Sequence, residues 1–354
     1  MTQFSSLDSY IAEQMATLRI PGLSLAIIED GTPVISRGYG FSNLELKVAA
    51  TPQTLYGIGS ISKQFTAAAI MILVESEQLN LDKEIHAYLD GLPSEWKEVS
   101  IRHLLTHTSG IREEIWAGGN LEFDRNEHQQ RDVISTSFGA LEFKPGEKFS
   151  YSNISYRLLG MLIEALSGLS YWEFLDHKIF KPLGMTETRS SDPKKIIPNR
   201  AAGYGCIEDC HENRDAVTES AAFSQGALMS TVLDLAKWDE ALYGEQILKK
   251  SSLEEMWTSG NLNNGSATGY GLGWFINKEG NKKTVFHSGG LPGFTTFICR
   301  NLSSKTTLIL LSNLEWVAIL DIANSVAEHY CRHEKKRHIK AVVSTPLRAP
   351  RSTA

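Results

Sequence analysis

Ser60-Ile61-Ser62-Lys63, running directly into Gln64-Phe65-Thr66-Ala67-Ala68-Ala69-Ile70-Met71-Ile72-Leu73-Val74, sets a hydroxyl and an amine three residues apart at the head of a long apolar run. Residues at i and i+3 share a helix face, so the Lys63 ammonium is expected beside the Ser60 hydroxyl. A serine is a weak nucleophile until a neighbour takes its proton during attack. The N–H groups of a first helical turn also supply positive potential where an oxyanion would form. The pattern S-x-x-K is not specific by itself: it recurs at Ser94/Lys97, behind Pro93, and at Ser191/Lys194, around Pro193. Only Ser60 follows a strand-like run, Leu55 to Gly59, and precedes a helix hydrophobic enough to be central. From position alone Ser60 is equally an N-cap, a common place for serine.

Upstream, Leu7, Tyr10, Ile11, Met15 and Leu18 follow helical spacing, and Pro21-Gly22 ends that helix. Leu23 to Glu29 and Val34 to Tyr39 then flank Asp30-Gly31, a hairpin signal. From Ser60 to about Trp257 the segments read as helices, clearest at Ile101–Thr108, Tyr156–Leu166, Tyr171–Ile179 and Val232–Leu242. Strand character returns at Gly269–Ile276, Thr284–His287, Phe294–Cys299 and Thr306–Leu311, and a closing helix is read through Trp316, Ile319, Ala323, Val326 and Tyr330. Nothing between Thr284 and Leu311 is long enough for a parallel crossover, so the sheet is antiparallel. The expected fold is α/β (α+β): one antiparallel sheet drawn from both ends, residues 1–58 and 260–331, flanked by terminal helices, with residues 59–259 inserted as a mainly helical domain.

With 354 residues and a formal net charge of -6, the chain has room for about two cores and shows no basic surplus that would call for nucleic acid. Cys206, Cys210, Cys299 and Cys331 are too few for a disulfide framework, and Cys206-x-x-x-Cys210-His211 matches no common zinc spacing; no metal and no cofactor are expected. The first twenty residues lack the basic and apolar regions of a secretory leader and no apolar run reaches membrane-spanning length, so a cytoplasmic protein without a membrane span is expected. Residues 332–354 are basic, carry two prolines and lack periodicity, and are read as a disordered tail. Oligomeric state is not encoded in any pattern found.

Three further groups carry chemistry. Tyr151-Ser152-Asn153 follows a Pro145-Gly146 turn and enters a helical pattern. A phenol beside an ammonium and a helix N-terminus has its phenolate favoured, which opens a route to a general base, and the Asn153 amide can fix Lys63 or a substrate carbonyl. A tyrosine on an ordinary loop fits the local sequence as well. Phe286-His287-Ser288-Gly289-Gly290 ends a strand, where glycines let a substrate run alongside and bring backbone N–H groups to it; a histidine in that place is otherwise structural. His103-Leu-Leu-Thr-His107 has metal-ligand spacing but no Glu after its first His, and is read as turn-stabilising. Gly269-Tyr-Gly-Leu-Gly273 enters a strand rather than a helix, against phosphate binding, and no G-x-S-x-G occurs.

Ser60-x-x-Lys63, Tyr151-x-Asn153 and His287-Ser288-Gly289, in this order, resemble the three motifs of the serine β-lactamase and penicillin-recognising hydrolase family. The similarity is greatest to the branch of class C β-lactamases, D-Ala-D-Ala carboxypeptidases, D-aminopeptidases and family VIII esterases, shared also by Leu104-Leu-Thr-His-Thr-Ser-Gly-Ile111 and Pro182-Leu-Gly-Met185, and it covers roughly Leu7 to Cys331. The resemblance implies a sheet domain plus a helical domain and acyl transfer through a covalent intermediate. In it Ser60 attacks a carbonyl, Tyr151 tuned by Lys63 takes the proton, and the N–H groups of Ser60 and Gly290 hold the oxyanion; Asn153, His287, Ser288 and Gly289 complete the substrate side.

β-Lactamases of this branch carry Lys-Thr-Gly as the third motif, whose cation meets the drug carboxylate. His287 is largely neutral at pH 7, which favours uncharged small-molecule esters or D-aminoacyl amides. The expectation is a serine hydrolase acting on short-chain esters, with β-lactamase, D-aminopeptidase or carboxypeptidase activity as the alternative and a non-catalytic scaffold as the remote one.

Overall fold

The computed structural model describes residues 5–112, 139–280 and 282–333; of the basic tail, residues 334–354 lie outside the described residues. Strands β1 (Gly22–Glu29), β2 (Thr32–Asn43) and β3 (Val48–Ala49) open the chain, and β4 (Tyr56–Gly57) leads to the central helix Ser62–Glu75. The middle of the chain is mainly helical but holds four short strands that the sequence reading did not anticipate: β5 (Arg189–Ser190), β6 (Tyr204–Ile207), β7 (Cys210–Asn213) and β8 (Leu228–Ser230). Strands β9 (Phe275–Glu279), β10 (Lys282–Leu291), β11 (Phe294–Asn301) and β12 (Thr306–Ser312) precede the last described helix, Ile319–His333. The main sheet has seven strands in the order β3-β2-β1-β12-β11-β10-β9, and every pairing in it is antiparallel. The two ends of the chain meet at the β1–β12 pairing, where Leu25 faces Leu310. Asp30 and Gly31 both take positive φ (47° and 78°), the left-handed pair that a tight two-residue hairpin needs.

Period-two alternation divides the sheet's side chains between two cores. Leu23, Leu25, Ile27, Phe297, Leu308 and Leu310 pack with Leu7, Ile11, Ile322 and Val326 of the terminal helices. Ala26, Ile28, Val285, Ile298, Ile309 and Leu311 face the other way, onto Phe65, Ala68 and Trp238 of the helical part. Buried on both faces, β1 and β12 read as nearly continuous apolar runs rather than alternating ones. The helix Ser62–Glu75 has eleven of its fourteen residues buried and forms the axis of the larger core.

Two sequence expectations shift. Gly269 and Gly273 take φ of 73° and 79°, so Gly269–Trp274 is a turn and strand pairing begins at Phe275. Trp316 is not on the face of the closing helix: it stands three residues ahead of it, 84% exposed, at φ 59°. Among the described residues no single helix is long and apolar enough to cross a membrane.

Candidate active site

Ser60 lies in a short 3-10 turn, Gly59–Ile61, between β4 and the central helix. The N-cap of that helix is Ile61, with no side-chain cap, so the Ser60 hydroxyl is not engaged as a helix cap. It instead accepts a hydrogen bond from Lys63 Nζ at 3.0 Å. Gly59, at φ 54°, lies so close to β10 that a Cβ there would stand 2.7 Å from the Gly290 nitrogen. A Cβ on Gly289 would stand 2.0 Å from the Ile58 carbonyl oxygen. The glycine at 289 therefore lets the strand touch the turn that carries Ser60, rather than making room for substrate as read from sequence. Gly290, whose Cβ would meet nothing within 4 Å, is the open position.

Lys63 is fully buried. Removing an ammonium from water costs several kcal/mol, so it persists only among acceptors. Its three N–H donors have three: Ser60 Oγ at 3.0 Å, Asn153 Oδ1 at 2.8 Å and the Gln225 carbonyl at 2.9 Å. The ammonium is also 4.9 Å from the centre of the Tyr151 ring and 5.5 Å from that of Tyr156. Hydroxyl, amide and phenol thus gather around one nitrogen. Because Lys63 donates to Ser60, the serine's own proton is available to a different acceptor.

Asn153 is the first residue of the helix Asn153–Ser167, whose N-cap Ser152 accepts from the Ser155 N–H. The Tyr151 ring lies against His107, centroids 4.2 Å apart and planes 30° apart, with Phe275, Tyr270 and His287 forming the rest of its surround. His107 is wholly buried. Burial, and then the nearby Lys63 and His287, push its imidazole well below the ordinary value, so it is neutral. The two histidines of the metal-like pair have separate tasks: His103 forms a capping box with Ser100 at the start of Ile101–Leu105, while His107 enters the site.

His287 lies on the helical side of β10 and is 1% exposed. Its Nδ1 is 2.6 Å from the Ser288 carbonyl, which can only accept, so the proton is assigned to Nδ1, and Nε2 accepts from the Tyr270 hydroxyl at 3.0 Å. Burial and Lys63 push its pKa down to about 3. The ring is therefore a neutral internal brace and is not presented to solvent; the exposed groups on this stretch are Ser288 and Gly290. Pairing of β9 with β10 stops at Phe286, which leaves the stretch from Ser288 to Leu291 without a partner strand on that side among the described residues.

The family model for β-lactamases matches residues 7–316. This chain belongs to the β-lactamase family. It is 33% identical over 304 residues to penicillin-binding protein 4* of Bacillus subtilis (strain 168), covering 81% of this chain and 67% of that protein. Among solved structures it is similar to an octameric penicillin-binding protein homologue from Pyrococcus abyssi, with a TM-score of 0.78 and 34% identity over 90% of this chain and 75% of the other. It is also similar to a D-amino acid amidase from Ochrobactrum anthropi SV3, with a TM-score of 0.77 and 25% identity over 94% and 96% of the two chains.

Three contributors to this β-lactamase-family site escaped the sequence reading. Gln225 acts through its carbonyl, so its identity carries no signal. That carbonyl reaches Lys63 because Phe223, at φ 30° and ψ −136°, breaks the helix Glu219–Gly226. The buried Arg157 guanidinium, within helix Asn153–Ser167, donates hydrogen bonds to the Ser220 and Ala221 carbonyls of the broken helix. Tyr270 sits in the glycine-rich turn that the sequence reading weighed only against phosphate binding.

Proposed function

We propose that this β-lactamase-family hydrolase works through an acyl-enzyme on Ser60 and that its preferred substrates are short-chain esters. The reading is carried by one observation: the buried Lys63 ammonium spends its protons on Ser60 Oγ, Asn153 Oδ1 and the Gln225 carbonyl while facing the Tyr151 ring. In this mechanism Ser60 Oγ attacks the carbonyl carbon and its proton passes to the Tyr151 phenolate, which the Lys63 charge stabilises. Backbone N–H groups of Ser60 and Gly290 receive the oxyanion. The phenol then protonates the leaving alcohol; the regenerated phenolate takes a proton from the water that attacks the acyl carbon, and as the Ser60 Oγ–acyl bond breaks the phenol returns that proton to Oγ and the acid leaves.

Substrate preference follows from the neutral brace at His287. A buried imidazole with a pKa pushed down to about 3 offers no cation to a carboxylate beside the scissile bond. Uncharged esters meet no such need. A second reading, D-aminoacyl amides, is favoured by the Ser288–Leu291 edge of β10, which has no partner strand on its β9 side among the described residues and to which an extended amide can add, and by the similarity to a D-amino acid amidase.

Turnover of p-nitrophenyl butyrate, D-alanine p-nitroanilide and nitrocefin, measured side by side with intact-protein mass spectrometry, tests both readings. The ester is expected to be hydrolysed fastest, and Ser60→Ala to lose both turnover and the acyl mass increment. Dominant hydrolysis of nitrocefin would overturn the substrate reading. A Ser60→Ala variant that still turns over, or native protein whose Ser60 is not labelled by a fluorophosphonate, would overturn the nucleophile and favour a scaffold.

A further inference from the structure

We infer that His107 is a positioning residue for acyl transfer: it clips the chain on both sides of Tyr151 and so sets the phenol and the Asn153 amide against the Lys63 ammonium. The inference rests on the reading of Tyr151 as proton acceptor. The Ser150 N–H donates to the His107 carbonyl at 2.9 Å, and the Ser152 N–H donates to His107 Nδ1 at 3.0 Å. The imidazole lies over the phenol ring with centroids 4.2 Å apart. One residue therefore holds Tyr151 by the amide before it, the amide after it and its own ring. Ser152 in turn caps the helix that begins with Asn153, whose Oδ1 receives Lys63 at 2.8 Å.

The backbone is set for this task at a cost. His107 has φ 57°, the left-handed region, which disfavours a non-glycine residue by about 1–2 kcal/mol. Neighbouring contacts keep it there: the Thr108 N–H bonds the His103 carbonyl at 2.9 Å and the Gly146 N–H bonds the Thr108 carbonyl at 2.8 Å. A strained residue touching two site groups is where positioning is expected. The imidazole accepts at Nδ1 only while that nitrogen is unprotonated. The titratable groups around it are Lys63 from the central helix, Tyr151, Tyr156 from helix Asn153–Ser167, Tyr270 from the turn before β9 and His287 from β10. Since His107 is neutral, replacing it by an uncharged residue removes no charge from the site, and any change in the pH profile reports geometry.

The test compares His107→Asn, which keeps an acceptor at the Nδ1 position and tolerates positive φ, with His107→Leu, which keeps apolar bulk and loses the acceptor. With p-nitrophenyl butyrate, His107→Leu is expected to lower kcat about 10²-fold, the scale of a small misplacement, with KM held within roughly threefold. Its acidic limb of kcat/KM is expected to move to higher pH, because the phenolate is no longer held against the cation. His107→Asn is expected to recover activity to within roughly tenfold of the parent and to keep the parent pH profile. In a Tyr151→Phe background His107→Leu is expected to add almost nothing. A folded His107→Leu with parental kcat and pH profile overturns the inference while leaving an inactive Tyr151→Phe, and hence the parent reading, intact; a fully active Tyr151→Phe sinks the parent reading instead. If His107→Leu does not fold, His107→Gln replaces it, with the acceptor one bond too far. Equal activity of the Asn and Gln variants then overturns the inference.

Discussion

A hydroxyl, a side-chain amide oxygen and a main-chain carbonyl receive the Lys63 donors inside the protein. With its donors spent on Ser60 Oγ, Asn153 Oδ1 and the Gln225 carbonyl, the ammonium is placed to hold charge steady rather than to collect a proton. In the proposed mechanism that division leaves the phenol as acceptor for the Ser60 proton. Tyr151→Phe is accordingly expected to reduce kcat by about 10²–10⁴-fold, as loss of a general base does, with KM little changed. Steady-state kinetics on the hydrolysed ester checks this, and parental kcat in the variant would return the base role to Lys63. Ser60, Lys63 and the Tyr151–Asn153 pair were legible in the sequence because side-chain chemistry at short spacing names them. Gln225 was not, since a main-chain carbonyl is the same in every residue. Nor was the inward turn of His287, which depends on Tyr270 arriving from a separate stretch of chain.

At the scale of elements, the site is a junction of a helix-leading turn and a strand, and glycines make the junction possible. At Gly289 an added methyl would stand 2.0 Å from the Ile58 carbonyl oxygen and 2.3 Å from Thr296 Oγ1, whereas at Gly290 it would meet nothing within 4 Å. Gly289→Ala is thus expected to destabilise the fold by about 1–3 kcal/mol, the cost of overpacking, and to lose most activity by pushing Gly290 away from Ser60. Gly290→Ala should fold within about 0.5 kcal/mol of the parent. Urea unfolding of the two variants measures the difference, and equal midpoints would show that the turn and the strand are not in contact. The hairpins and the central helix were legible because each rests on local pattern: Asp30-Gly31 for a turn, an unbroken apolar run for a buried helix. The short strands of the middle region were not, because two to four residues carry no clear period; β8 owes its place to β4 and β5 on either side.

At the scale of the molecule, two cores share one sheet, and the site lies on the face turned to the helices. Burial there is deep enough to keep imidazoles neutral, which ties stability to pH. His287 has its pKa pushed down to about 3, and His107 is lowered as well, while an exposed imidazole in the unfolded chain titrates near ~6.5. Between those values the unfolded chain binds more protons, so stability is complete above about pH 6.5 and is lost as pH falls toward 3. One such imidazole accounts for about 2 kcal/mol between pH 6.5 and pH 5. Urea midpoints at pH 7.5 and pH 5 are expected to differ in that direction, and His287→Gln to flatten the dependence. A midpoint that rises on acidification would mean that these imidazoles are solvated.

Sequence by itself determined the longer strands and helices, that the sheet is antiparallel and drawn from both ends of the chain, and that Ser60, Lys63 and Tyr151 are the candidate reactive groups. These follow from periodicity, from reactive groups closely spaced within each motif, and from the likeness of the motif set to one family. Only the tertiary structure decided that His287 braces the site from within, that a kink at Phe223 delivers a carbonyl to Lys63, and that His107 lies against Tyr151. They rest on contacts between residues from 17 to more than a hundred positions apart, on backbone atoms common to all residues, and on burial that exists only once both cores have closed.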